Sequence, residues 1–301
     1  MENTDNILKG VQAKLGLKES FIPADNGTRS KVYLSNTHAV KISRNLAAIE
    51  GEAKILSSFN FSFIPKIKNS IKINKYGVLI ESRLPGVSID RAWKNLKKRK
   101  KVLTIQKLVQ AIQLIHNQKK EYFWQAQNPN LIFSSYSDLL VHRIEKAKER
   151  IKTNRAAKTL YNSLSKSLIE KNLQKTFQRI QPSIVHGDLI MHNLLISNDG
   201  HLTGVLDWEF AQYGDVFYDL ARVIYYQECA KAYADSGKDE IFEYDFTGRL
   251  IKEMKKTIKF ERNKYEILRK LFLTEALAWA VDSKNPKSNI SELRKQFFST
   301  N

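Results

Sequence analysis

The chain has 301 residues, 42% of them hydrophobic and 27% charged, which supplies apolar material for one large core or two smaller ones and excludes a disordered or collagen-like chain. A single cysteine, Cys229, excludes an intrachain disulfide and a thiolate zinc site, and it fits a reducing compartment such as the cytoplasm. No apolar run approaches the roughly 18 residues of a membrane span, and MENTDNILKG has neither the basic nor the apolar region of a secretory signal, so a soluble, unexported protein is expected.

Up to about residue 85 the pattern is one of strands and one helix. SKVYLS (30–35) alternates, YGVLIE (76–81) is a buried run, and AAIEGEAKILSSF (47–59) has helical spacing. Leu84-Pro85-Gly86 marks a tight crossing. Beyond it helices dominate. Val102, Ile105, Leu108, Val109, Ile112 and Ile115 recur at threes and fours as a core helix, and YEILRKLFLTEALAWAV (265–281) forms another. A short strand-rich island lies at 183–207. This order predicts an α+β, bilobal chain: a small β-rich lobe over 1–85 and a larger helical lobe over 86–301 that carries an inserted hairpin.

The net charge of +19 raises nucleic acid as a partner. The excess is local, however: residues 94–180 hold 20 basic and 5 acidic side chains, while 207–301 hold 16 of each. Aromatics do not interleave with these bases as in single-strand binders, so a solvated basic surface is expected, with a kinase-like module docking on nucleic acid or anionic surfaces through 94–180 as the non-enzymatic alternative.

The island SIVHGDLIMHNLLISNDGHLTGVLDWEF, residues 183–210, carries the chemistry. An apolar strand runs into His186-Gly187-Asp188. Asn193 then opens a second strand, which turns at Asn198-Asp199-Gly200 and returns through Leu202–Leu206 into Asp207. Such a hairpin sets Asn193 and Asp207 side by side at its open end, with Asp188 just before them. Two carboxylates and an amide there suit a hard cation such as Mg2+, with one carboxylate left for general-base work.

HGDLIMHN and LDWE, continued by GDVFYDLA at 214–221, resemble the aminoglycoside phosphotransferases and choline kinases, relatives of the protein kinases, whose pattern is H-G-D-x-x-x-x-N followed by a hairpin and I-D-W-E. Val216 replaces a usual proline and His192 a usual small residue. The resemblance implies a protein-kinase-like fold in which Asp188 orients or deprotonates an acceptor hydroxyl, Asn193 and Asp207 hold the metal, expected as two Mg2+ ions, and His186 is structural. The stretch NDGHLTGVLDWEFAQYGDVFY is also similar in spacing to the corresponding part of hygromycin B phosphotransferases.

A phosphotransferase needs a phosphate-covering turn, a strand lysine and a helical glutamate. Asn26–Ser30 supplies the turn, with Gly27, Thr28 and Ser30 as phosphate contacts. Ala39-Val40-Lys41-Ile42 puts Lys41 in an apolar strand, where an unpaired ammonium would be costly. Of Glu50 and Glu52, only Glu52 falls between Ile49, Ile55 and Leu56 on a helical wheel, so Glu52 is the expected partner. ESRLPG (81–86) is similar to the family's M-E-R-L-P-G hinge, which implies that the backbone around Ser82 to Leu84 meets the adenine edge, and LIHNQ (114–118) is similar to its L-x-x-L-H helix ending.

The implied reaction moves the terminal phosphoryl group of ATP or GTP to a hydroxyl of an aminoglycoside-type antibiotic. Choline, ethanolamine, a sugar or another hydroxylated metabolite is the alternative acceptor. Cationic acceptors favour acids, and Glu209, Asp235, Asp239 and Glu240, in and near DSGKDEIFEYD (235–245), are the candidates. Trp208, Tyr213, Phe217, Tyr218, Tyr225 and Tyr226 are spaced for core packing at least as well as for a quaternary-amine cage.

Overall fold

The computed structural model describes residues 4–16, 18–24, 30–165, 170–235 and 241–298. In chain order they form α1 (Thr4–Leu15), β1 (Ile22–Pro23), β2 (Lys31–Leu34), β3 (His38–Ser43), α2 (Leu46–Leu56), β4 (Ile67–Ile73), β5 (Tyr76–Ser82), β6 (Val87–Ser88) and α3 (Ile89–Ala92). Next come α4 (Lys98–His116), β7 (Trp124–Gln125), α5 (Tyr136–Ile151), α6 (Arg155–Ser165), α7 (Glu170–Thr176) and β8 (Ser183–Val185). The chain continues with β9 (Leu194–Ile196), β10 (Leu202–Val205), β11 (Gln212–Gly214), α8 (Phe217–Asp235), α9 (Ile241–Met254), α10 (Arg262–Val281) and α11 (Pro286–Phe298). Two compact units result, neither continuous in sequence: Met1–Ala92 with Gln125–Leu131 and His192–Ala211, and the remainder.

The first unit is built on an antiparallel sheet in the order β1-β2-β3-β5-β4. Alternation along β3 and β5 sends Val40, Ile42, Val78 and Ile80 to one face, where they pack with Ile7, Leu8 and Val11 of α1. The sequence pattern predicts one helix before residue 85; α1 is an addition, its short apolar stripe becoming a helix face once the sheet covers it. Ala39, Lys41 and Leu79 fall on the opposite face, by the same alternation. There α2 packs, its start fixed by Asn45, whose side chain accepts from Ala48 N.

The predicted hairpin is present as β9 and β10, with Gly200 at φ 81° in its turn. β6 adds to it, pairing Val87 with Ile196. The crossing at Leu84–Gly86 therefore leads straight into the hairpin's sheet. Gly86 has φ 116°, and a Cβ there would lie 2.6 Å from the Ile196 carbonyl oxygen, so no other residue fits.

The second unit is mainly helical. α8 packs against α9 and α10, α5 against α10, and α4 against α9, while β8 and β11 pair antiparallel from Ser183↔Gly214 to Val185↔Gln212. On α4, Ile105, Leu108, Val109, Ile112 and Ile115 are buried as expected, but Val102, near the start of the helix, is 42% exposed. Among the described residues, no helix is long and apolar enough to cross a membrane.

Candidate active site

Lys41 lies at the centre of the first unit's polar cluster. β3 carries it to the α2 face of the sheet, where it is only 8% exposed. Its Nζ donates to Glu52 Oε2 and to Asp207 Oδ1, each at 2.8 Å, and stands 3.7 Å from Glu209 Oε2. Burial opposes the ammonium, yet Glu52, Asp207 and Glu209 outweigh it and raise the Lys41 pKa well above its usual value. Glu50, next to Glu52 in sequence, is exposed.

Glu52 is bound on both oxygens, because Oε1 accepts from the Trp208 backbone N–H at 3.0 Å. This couples α2 to the short turn that follows the hairpin. Burial still lifts the Glu52 pKa, Lys41 notwithstanding. Glu81, on β5, shares the Lys41 face through its pairing with Ala39, and burial together with the Glu52 charge pushes its carboxyl up to about 8. The cluster thus holds more acid than one lysine neutralises.

At the open end of the hairpin Leu206 N–H donates to the Asn193 carbonyl at 2.7 Å, which ties the residue before Asp207 to Asn193. Asn193 is buried, and Asp207 adopts a left-handed backbone at φ 62°, ψ 75°. That conformation costs a non-glycine residue about 1–2 kcal/mol, which Asp tolerates better than most. The strain falls on the residue whose carboxylate meets Lys41.

In the second unit, Asp188 sits in the irregular segment between β8 and the hairpin. His186 is buried, and its Nδ1 accepts from Asp188 N–H at 3.1 Å, so the imidazole braces the loop. The loop's main anchor is Asp219 of α8, whose carboxylate accepts from His186 N–H (3.1 Å), Gly187 N–H (2.7 Å) and His116 Nε2 (2.8 Å). Burial opposes this carboxylate, but the His116 bond and the surrounding donors hold its pKa below the usual value. Tyr226 of α8 donates its hydroxyl to Asp188 Oδ1. GDVFYDLA and LIHNQ contain Asp219 and His116, but their spacing gives neither a role, and the spacing of Tyr226 fits packing as well as a site.

The other candidates are scattered. Ser30 is buried just before β2, whereas Gly27 and Thr28 lie outside the described residues. Ser82 exchanges bonds with Lys66, its N–H donating to the Lys66 carbonyl at 2.8 Å and its hydroxyl accepting from Lys66 N–H at 2.9 Å. Leu84 is half-buried beside Gly204. Glu209 is buried with Lys41, on the same side as Glu52 and Asp207. Asp235 ends α8, and Asp239 and Glu240 lie outside the described residues. Asp245, from the same acidic stretch, is engaged by Trp93 Nε1 (3.0 Å), Lys101 (3.2 Å) and Arg249 (2.7 Å). Of the aromatic group, Tyr213, Phe217, Tyr218 and Tyr225 are core residues.

A strand lysine paired with a helix glutamate, a hairpin ending in Asp, and an H-G-D loop anchored from the following helix together define a kinase-like phosphotransferase. The chain belongs to the phosphotransferase enzyme family, whose profile matches residues 43–247. Solved structures share the fold. A thermostable mutant of the aminoglycoside phosphotransferase APH(4)-Ia, in a ternary complex with ADP and hygromycin B, superposes with a TM-score of 0.70 at 12% identity, covering 97% of this chain and 98% of that one. ADP-bound aminoglycoside phosphotransferase APH(2'')-Ib gives 0.59 at 16% identity and 97% of each chain. Macrolide 2'-phosphotransferase type I gives 0.55 at 14% identity, with 98% of this chain and 97% of that one. No curated protein is matched in sequence.

Proposed function

We propose that this phosphotransferase moves the terminal phosphoryl group of ATP to a hydroxyl of an aminoglycoside-type antibiotic, with Mg2+ as cofactor, in the cytoplasm where the nucleotide is abundant. The observation that carries the donor half is the Lys41–Glu52–Asp207 cluster, since a buried ammonium held by two carboxylates is poised to bind phosphate oxygens. The acceptor half rests on similarity: two of the structures compared are aminoglycoside phosphotransferases.

Catalysis of this kind is chiefly positioning and charge neutralisation. Lys41 would bind the donor phosphates, Glu52 would hold Lys41 in place, and Asp188 would take the acceptor hydroxyl's hydrogen bond and direct its attack. Asn193 and Asp207 would hold the metal. Their donor set fits it: one amide and one carboxylate oxygen are hard ligands. Mg2+ is commonly bound by one or two such groups, with phosphate and water completing its shell. When bound, it neutralises the charge that builds on the phosphate oxygens during transfer.

The test is a coupled nucleotide-turnover assay with Mg2+ over aminoglycosides, hygromycin B, macrolides, choline and simple sugars, with Asp188→Ala as control. Turnover stimulated by an aminoglycoside and lost in the variant supports the reading. Stimulation by choline or a sugar alone moves the protein to the metabolic kinases.

A further inference from the structure

Asp188 lies between secondary-structure elements, so its side chain needs a clamp if it is to direct a hydroxyl. Backbone bonds fix the peptide: Asp219 anchors the two preceding N–H groups, and the Asp188 carbonyl accepts from Ile190 N–H at 2.9 Å. These contacts act on the backbone and not on the carboxylate. Tyr226 acts on the carboxylate itself, through its bond to Oδ1.

The direction of the tyrosine's proton is itself set. Arg222, one helical turn earlier on α8, donates from Nε to the Tyr226 oxygen at 2.9 Å. A guanidinium is only a donor, so the phenol must accept from Arg222, and its own hydrogen points at Asp188. Arg222 is held over rings, 4.6 Å from the centroid of Phe272 and 5.1 Å from that of Tyr226. A cation, a phenol and a carboxylate therefore form one polarised chain whose members all belong to the second unit.

We propose that Tyr226, aligned by Arg222, is a positioning residue for Asp188, holding the carboxylate in the orientation that receives the acceptor hydroxyl. The proposal rests on the assignment of Asp188 to the transfer step. It concerns kcat rather than nucleotide affinity, because the chain reaches only the acceptor-directing group.

The experiment uses the full chain with the acceptor that gives turnover in the panel above, or with water as acceptor if none does. Tyr226→Phe keeps the ring and removes the hydroxyl. It should lower kcat roughly tenfold to a hundredfold, as loss of an outer support to a catalytic group does, with the nucleotide KM within about twofold of the parent; because Arg222 Nε loses its acceptor, the melting temperature should fall modestly while the chain stays folded at the assay temperature. Arg222→Lys keeps the charge but loses the Nε donor, and it should lower kcat in the same way to a smaller extent. In an Asp188→Ala background, Tyr226→Phe should add nothing, since its effect runs through the carboxylate. Unchanged kcat in Tyr226→Phe, or a full additional loss in the Asp188→Ala background, overturns the proposal while leaving the role of Asp188 intact. Full turnover in Asp188→Ala overturns the underlying assignment, and the proposal with it.

Discussion

Lys41 Nζ and Asp207 Oδ1 are 2.8 Å apart although 166 positions separate them in the chain. One comes from the central part of the sheet, the other from a left-handed residue at the end of the hairpin. Their contact makes the hairpin part of the same electrostatic unit as β3 and α2. It also gives Lys41 a structural task beside the phosphate-binding role proposed above.

Replacing Lys41 by Met should expose the structural task. Glu52, Asp207 and Glu209 would lose their shared cation, and breaking a buried pair in this way costs about 3–5 kcal/mol. Urea unfolding of the nucleotide-free chain at neutral pH measures it. The deficit should shrink on acidification, as Glu52 takes up a proton, and nucleotide turnover should be lost at every pH.

Glu81 gives stability a pH dependence of its own. Its folded-state pKa of about 8 lies above the ordinary 4.5, so between those values the folded chain keeps a proton that the unfolded chain has released. The contribution is fully present below the lower value and declines as pH rises toward 8. Glu81→Gln stays neutral throughout. It should therefore match the parent near pH 4 and exceed its melting temperature increasingly up to pH 8, as thermal melts across that range would show.

Asp219→Asn tests the loop anchor. The carboxylate accepts from three donors, whereas an amide offers one oxygen and turns an N–H group toward the others. A loss of about 2–3 kcal/mol in urea unfolding is expected from bonds to a charged acceptor. The kcat should fall as well, because Asp188 follows Gly187 directly.

Gly51, between Glu50 and Glu52 on α2, has no room for a side chain. A Cβ there would lie 1.8 Å from the Ala126 carbonyl oxygen, a backbone atom that cannot turn aside. Gly51→Ala should destabilise by about 3 kcal/mol, at the upper end of overpacking costs, and should move Glu52 away from Lys41. A lowered melting temperature together with weakened nucleotide binding, by calorimetry, is the expected outcome.

The parts legible in the sequence were those governed by local chemistry. The Asp-Gly turn and its flanking apolar runs specify the hairpin, and the helical wheel selects Glu52 over Glu50, because both depend on neighbours a few residues away. The helix α1 was harder to read, since its stripe of Ile7, Leu8 and Val11 is stabilised mainly by the sheet it covers. The acidic stretch around Asp245 reads equally as a cleft lining or a helix start, and only packing shows that Asp245 is engaged by Trp93, Lys101 and Arg249.

By itself, then, the sequence determined the spacing of Asp188, Asn193 and Asp207, the strand that carries Lys41 and the helix that answers it. Tertiary structure alone decided that Glu209 turns to Lys41, that Asp219 gathers the loop's N–H groups, and that Tyr226 reaches Asp188. Turn formation and amphipathic periodicity are short-range effects written in consecutive residues, whereas the partner of a buried charge is whichever complementary group long-range packing brings within hydrogen-bonding distance.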